Sequence, residues 1–401
     1  MRKMRRLIMA AVLVTVASGS SAAQLGAPQR VGPVGTAPAV ALLGTVLPYG
    51  DGYVEFTSQL LPGQPTLFRI VATPIAHDGV VQYDQAKTLV TGVSPAPGPM
   101  AAVTDSGYLL CFTAFHEAYT MALSPSLQVR GTSANSLGKD LSYTHLACNG
   151  SSCLLTFIAT LSQYVDGSII VMGADGVERS RRSLARAGYP GFSALAPVSG
   201  GYAFFHGSSD SSNYIPAENF PAGVTWLDLD GNATAETESL PNVAAPAIVA
   251  HPAGALLIDT SPQEEVFACV VSPDRGVVKS ARFTLGSGFS QAVGATVGGD
   301  GSQFLIAVSR TTFPPFNESP PMPSDVGGIL VTGDLQVVSP WFPIAEQWGA
   351  QTSMCVATNG GEYLVGWQRT ASYALSAAVT SDASVLQPNG AAVVRTPASQ
   401  D

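Results

Sequence analysis

Charge is scarce in this chain. Asp, Glu, Lys and Arg make up 12% of its 401 residues, and the balance is acidic, 28 Asp and Glu against 19 Lys and Arg, for a net charge of −9. Nucleic-acid binding needs a basic face, and the only basic cluster beyond the N-terminal region is Arg179, Arg181, Arg182 and Arg186. That cluster reads as a solvated edge strand, where charge deters strand pairing; no nucleic-acid partner is expected. Long apolar runs are also lacking. Crossing a bilayer takes about 20 apolar residues, and the Leu7 to Ala17 run falls short, as does every later one. Catalytic signatures are equally sparse, with no Gly-x-Ser-x-Gly elbow and no His-Glu-x-x-His. The five histidines, His77, His116, His145, His206 and His251, show no ligand spacing. No catalytic residue, metal or cofactor is therefore assigned. Asp228-Leu-Asp-Gly-Asn232 is similar to a calcium loop but lacks the distal Glu, and Ser272-Pro-Asp-Arg-Gly276 fits only part of an Asp-box. Both read as turns.

What the chain does have is a recurring turn followed by an apolar strand. In Asn359-Gly-Gly-Glu-Tyr-Leu-Val-Gly-Trp367 the anchor is Tyr363; the matching positions upstream are Phe304, Ala255, Tyr202, Cys153, Tyr108 and Tyr53. From Tyr53 onward the separations, by subtraction, are 55, 45, 49, 53, 49 and 59 residues. Seven copies at roughly 50-residue spacing fall in the range of propeller repeats. A short run precedes each turn (strand A, for example Met100–Thr104), and the anchor strand is B. Strand C follows a variable loop, as in Ser168–Met172, and a tight turn leads to strand D. His77-Asp-Gly79, Ala174-Asp-Gly176 and Asp230-Gly-Asn232 supply the positive φ that short hairpins require. Leu109–Phe112 and Leu154–Phe157 are apolar almost without alternation, which means strands covered on both faces. The expectation is an all-β, seven-bladed β-propeller of four-stranded antiparallel blades, each contiguous in sequence; a β-sandwich would explain short strands but not the regular spacing.

The N-terminus carries Arg2, Lys3, Arg5 and Arg6, then the apolar run, then small residues ending at Ala23. This is the pattern of a Sec signal peptide. The expected organisation is a leader at 1–23, an extended lead-in at 24–36 and one propeller at 37–401, secreted or periplasmic and monomeric. In an exported chain, cysteines invite pairing. Cys148 and Cys153 flank an A–B turn, where antiparallel neighbours come within bridging distance, and are the expected disulfide. Cys111, Cys269 and Cys355 read as small buried hydrophobes.

The unit Val356–Trp367 resembles the repeat of exported, largely uncharacterised bacterial β-propeller proteins, with Asn-Gly followed by Tyr-Leu-Val-x-Trp. The resemblance implies architecture and carries no catalytic residues. In propellers generally, the B–C and D–A loops share one face that commonly binds or reacts. Two B–C loops here are long, and long loops on a rigid scaffold tend to carry function. They contribute His206, Asp210, Tyr214 and Glu218 in unit four, and Arg310, Phe313 and Phe316 in unit six. His116, Trp367 and Arg369 complete the candidate binding set. The expected role is an exported binding or scaffold protein for a protein or glycan; the alternative is a polysaccharide hydrolase or lyase using loop acids.

Overall fold

A computed structural model describes residues 29–30, 34–38, 41–61, 64–94, 98–131, 134–159, 167–183, 193–206, 222–238, 240, 247–260, 265–285, 290–312, 324–346, 351–369, 373–393 and 395–397. The expected leader at 1–23 lies outside these residues. The rest is a seven-bladed β-propeller. Seven successive antiparallel sheets each run A-B-C-D in chain order. The A strands are Ala41–Tyr49, Met100–Thr104, Leu141–Asn149, Ser193–Val198, Ala247–His251, Ser290–Gly299 and Gln351–Asn359. Each touches the A strand of the next blade, and the seventh touches the first, so they form the inner wall of a closed ring. The B strands that follow are Gly52–Leu61, Gly107–Ala114, Ser152–Ala159, Gly201–His206, Gly254–Thr260, Gln303–Thr312 and Glu362–Arg369.

The unbroken apolar B runs follow from this geometry. Each B strand is sandwiched between two neighbouring blades, and every residue of Gly107–Ala114 and Gly201–His206 is buried. Alternate side chains enter alternate seams. Tyr108, Leu110 and Phe112 face blade one, packing with Val54, Phe56 and Ile70, while Leu109 and Cys111 face blade three. Seam by seam, the core is a series of such clusters, and their burial supplies the main stabilisation.

Two of the four anchor tyrosines, Tyr108 and Tyr202, bind the preceding blade through their hydroxyls. Tyr108 donates its hydroxyl hydrogen to the Pro48 carbonyl of blade one at 2.8 Å, and Tyr202 donates to the Ser152 carbonyl of blade three at 2.6 Å. The turn asparagine works in the opposite direction: Asn149 Nδ2 donates to the Val198 and Gly201 carbonyls at 2.7 and 2.9 Å, and Asn359 Nδ2 to that of Gly52 at 2.7 Å. At these positions the motif that sets the repeat stitches blade to blade.

Cys148 and Cys153 sit opposite one another across the A–B turn of blade three, Cα atoms 4.0 Å apart, and are disulfide-bonded. Cys111 and Cys269 are buried thiols and Cys355 a partly buried one. Glu178–Ser183, the D strand holding Arg179, Arg181 and Arg182, lies at an exposed blade edge. In the expected lead-in, Gln29–Arg30 adds a fifth strand outside Lys87–Val93 of blade one, and Val34–Pro38 pairs with Arg395–Pro397. No helix among the described residues is long and apolar enough to cross a membrane.

Candidate functional site

The face formed by the B–C and D–A loops is marked by the far ends of the B strands. In blade two the B–C connection is a two-residue hairpin, Phe115-His116, closed by the pair Ala114 and Glu117. Both turn residues have positive φ, 51° and 64°. Such a turn favours Asn and Gly; a bulky aromatic there is a strained choice, and strain of this kind collects at functional positions. The base of the turn is fixed. The Asp140 amide donates to the His116 carbonyl at 2.8 Å. Hydroxyl donation from Ser136 and from Tyr119 (2.8 Å) holds the Glu117 carboxyl below the usual range. The tip is presented to solvent, with Phe115 72% exposed and His116 exposed beside it.

The other candidates sit differently. His206 ends the B strand of blade four, opposite Gly223. A Cβ at Gly223 would lie 3.0 Å from the imidazole Cε1, so glycine there makes room for the ring. His206 is buried, with Nε2 3.6 Å from the Glu236 carboxylate. In blade six, Arg310 donates to the Leu285 carbonyl at 2.8 Å, stacks over Trp341 at 4.6 Å, and lies 3.5 Å from Asp325. That guanidinium ties the C and D strands of blade six to Leu285, just after the last strand of blade five. Trp367 is fully buried between blades six and seven, which places it in the core and not on the binding rim. Its position on the strand face turned toward blade six accounts for this. Arg369, half-buried, ends the same strand. Asp210, Tyr214, Glu218, Phe313 and Phe316 lie outside the described residues. His116, His206, Arg310 and Arg369 thus share one face but belong to four different blades.

The inner wall is uncharged: none of the seven A strands contains Asp, Glu, Lys or Arg. Its His145 is pushed down to about 4 by burial and is neutral at pH 7. Among the described residues, no group of three or more His, Cys, Asp or Glu could hold a metal. The Asp228 turn satisfies itself: Oδ1 accepts from the Asp230 and Asn232 amides at 2.9 and 2.8 Å, and Oδ2 from Asn232 Nδ2 at 2.8 Å. Burial acts to raise the Asp228 pKa, but these bonds outweigh it and leave the carboxyl below its ordinary value.

Two features lie outside the candidate set named from the sequence. Phe115 is absent from the candidate set, although a bulky residue in a two-residue turn is itself a signal. Glu55 was also missed; it is a charged residue inside an anchor strand, and aligning the seven copies exposes it.

No known family model matches the chain, and no curated protein matches it. Solved structures do. A protein from Lactobacillus plantarum aligns with a TM-score of 0.50 at 13% identity, covering 90% of this chain and 97% of that one. An acylaminoacyl peptidase from Pyrococcus horikoshii aligns at 0.51 and 11%, covering 86% of this chain and 52% of its own. A puromycin-hydrolyzing peptidase from Mycobacterium tuberculosis aligns at 0.50 and 13%, covering 90% and 56%. This chain spans about half the length of each peptidase. At such identities the likeness is one of fold.

Proposed function

We propose that the chain is an exported binding or scaffold protein that holds a protein or glycan on the face formed by its B–C and D–A loops. The observation that carries this reading is the Phe115-His116 tip: a strained turn fixed at its base presents an aromatic ring to solvent on that face. Exposed aromatics are the usual anchors of binding surfaces. The uncharged inner wall supports binding over catalysis. Sugar hydrolysis calls for two carboxyl groups about 5–10 Å apart, and the A strands contribute none, leaving that alternative dependent on loop acids. Export rests on the basic and apolar N-terminal pattern, with the disulfide consistent with it.

The test is a glycan array together with partner capture from the native secretome, comparing the unaltered chain with Phe115→Gly. Glycine accepts the positive φ, so the variant should stay folded and gain up to about 1 kcal/mol. Its affinity for the captured glycan or protein should fall at least about tenfold. Equal binding by the two chains would overturn the reading, as would an unaltered chain that binds nothing.

A further inference from the structure

Six of the seven anchor strands place an apolar side chain two residues after the anchor: Leu110, Leu155, Phe204, Leu257, Ile306 and Val365. Each faces the preceding blade. In blade one that position is Glu55, which is 0% exposed. It lies in the seam that closes the ring, facing blade seven. Within blade one it sits between Val46 and Thr73. Across the seam runs the row Cys355, Gly366, Ser376 of blade seven. The two rows are in contact, since a Cβ on Gly366 would lie 3.0 Å from Val46 Cγ2 and from Cys355 Sγ. Gly366 occupies the position held in the other blades by Phe56, Cys111, Thr156, Phe205, Ile258 and Ala307, and its missing side chain leaves room for a carboxyl. Among the described residues, neither Glu55 oxygen has a hydrogen-bond partner, nor do the buried hydroxyls of Thr57, Thr73 and Ser376.

We propose that Glu55 is a proton-operated latch on the ring, its seam closing around the protonated carboxyl and loosening when the proton leaves. No cation among the described residues is placed to hold the charge. From the C strand of blade one, Arg69 gives its guanidinium to Gln59 Oε1 at 3.0 and 3.2 Å. From the D strand, Lys87 gives its ammonium to the Ser126 carbonyl at 2.6 Å. Tyr53, two residues before Glu55, shares its strand face. From blade seven, the A strand brings the Cys355 thiol and the C strand only Ser376 between Ala374 and Ala378. Its B strand brings uncharged Leu364 and Gln368, with Glu362 and Arg369 at its two ends. Burial pushes the Glu55 carboxyl well above the ordinary range; burial, and then the charge on Glu55, raise the Cys355 thiol.

The sign of the linkage follows. The folded chain keeps a proton that the unfolded chain releases near its ordinary value of 4.5. The stability contribution is whole below that value and is lost as pH rises toward the folded-state value, about tenfold in the folding equilibrium constant per pH unit. Denaturant unfolding of the unaltered chain and of Glu55→Gln, between about pH 5 and about pH 9, reads this directly. The ratio of their folding constants should fall about tenfold per unit over the lower part of that range. Hydrogen exchange should place the loosening in 52–61 and 362–369, leaving 254–260 and 303–312 of the seam between blades five and six as protected as before. If Glu55→Gln does not fold, the protection of the first pair relative to the second in the unaltered chain carries the test, and should fall with pH. A flat ratio overturns the latch. So does a rising one, which an ion-paired or cation-held carboxylate would give, or equal loosening in both seams.

Discussion

The seam between blades five and six and the seam between blades seven and one are built from the same strand positions. In the first, Leu256, Ile258 and Val270 meet Phe304, Ile306 and Val308, all buried and all apolar. In the second, the position of Ile306 is taken by Glu55 and that of Ile258 by Gly366, with Thr57, Thr73 and Ser376 around them. An apolar seam gains from every contact it buries. A seam holding unpartnered hydroxyls and a carboxyl forfeits part of that gain, because each buried polar group without a partner costs about 1–3 kcal/mol. The difference teaches that the repeat fixes where side chains meet while leaving the strength of each meeting adjustable.

The sharpest way to break this comparison is to move the carboxyl. Ile306→Glu puts one opposite Ile258, where no glycine makes room, and should cost more than about 4 kcal/mol or prevent folding. A loss near 1 kcal/mol in urea denaturation would mean that any seam tolerates an acid. Next is Gly366→Ala, which crowds Cys355 and Val46 and should cost about 1–3 kcal/mol in the same measurement. The smallest effects come from the anchor hydroxyls. Tyr108→Phe loses the bond to Pro48 and should cost about 1 kcal/mol. Tyr363→Phe removes a buried hydroxyl with no partner among the described residues, and thermal melts should show no loss, or a small gain.

The fold was legible because its signal is repeated. The spacing of the anchors from Tyr53 to Tyr363, the Asp-Gly hairpins and the non-alternating B strands all followed from one blade geometry, and the Cys148–Cys153 bridge followed from where an A–B turn brings its flanks. The site was legible in smaller part. Strand position told that His206 and Arg369 reach the same face as His116, but not that His206 is buried or that Trp367 turns inward. Those outcomes depend on which seam a face enters, and strand alternation decides that only once the ring order is known. Arg310 offered a charge in sequence; the structure spends it on Leu285, Asp325 and Trp341. Glu55 is not among the candidate residues, since a single strand gives no measure of what its six counterparts carry.

Because each blade is one continuous stretch of chain, six sheet-to-sheet contacts join segments that are neighbours in sequence, and only the seventh joins the first to the last. Synthesis from the N-terminus can therefore dock blades in order, but Glu55 has to wait in water until Gly366 and Ser376 have been made. During that wait it is an ordinary surface acid and is ionised at neutral pH. With the latch proposed above, closing the circle takes up a proton from solvent, and the balance between the open and the completed ring shifts toward completion as the surroundings become more acidic.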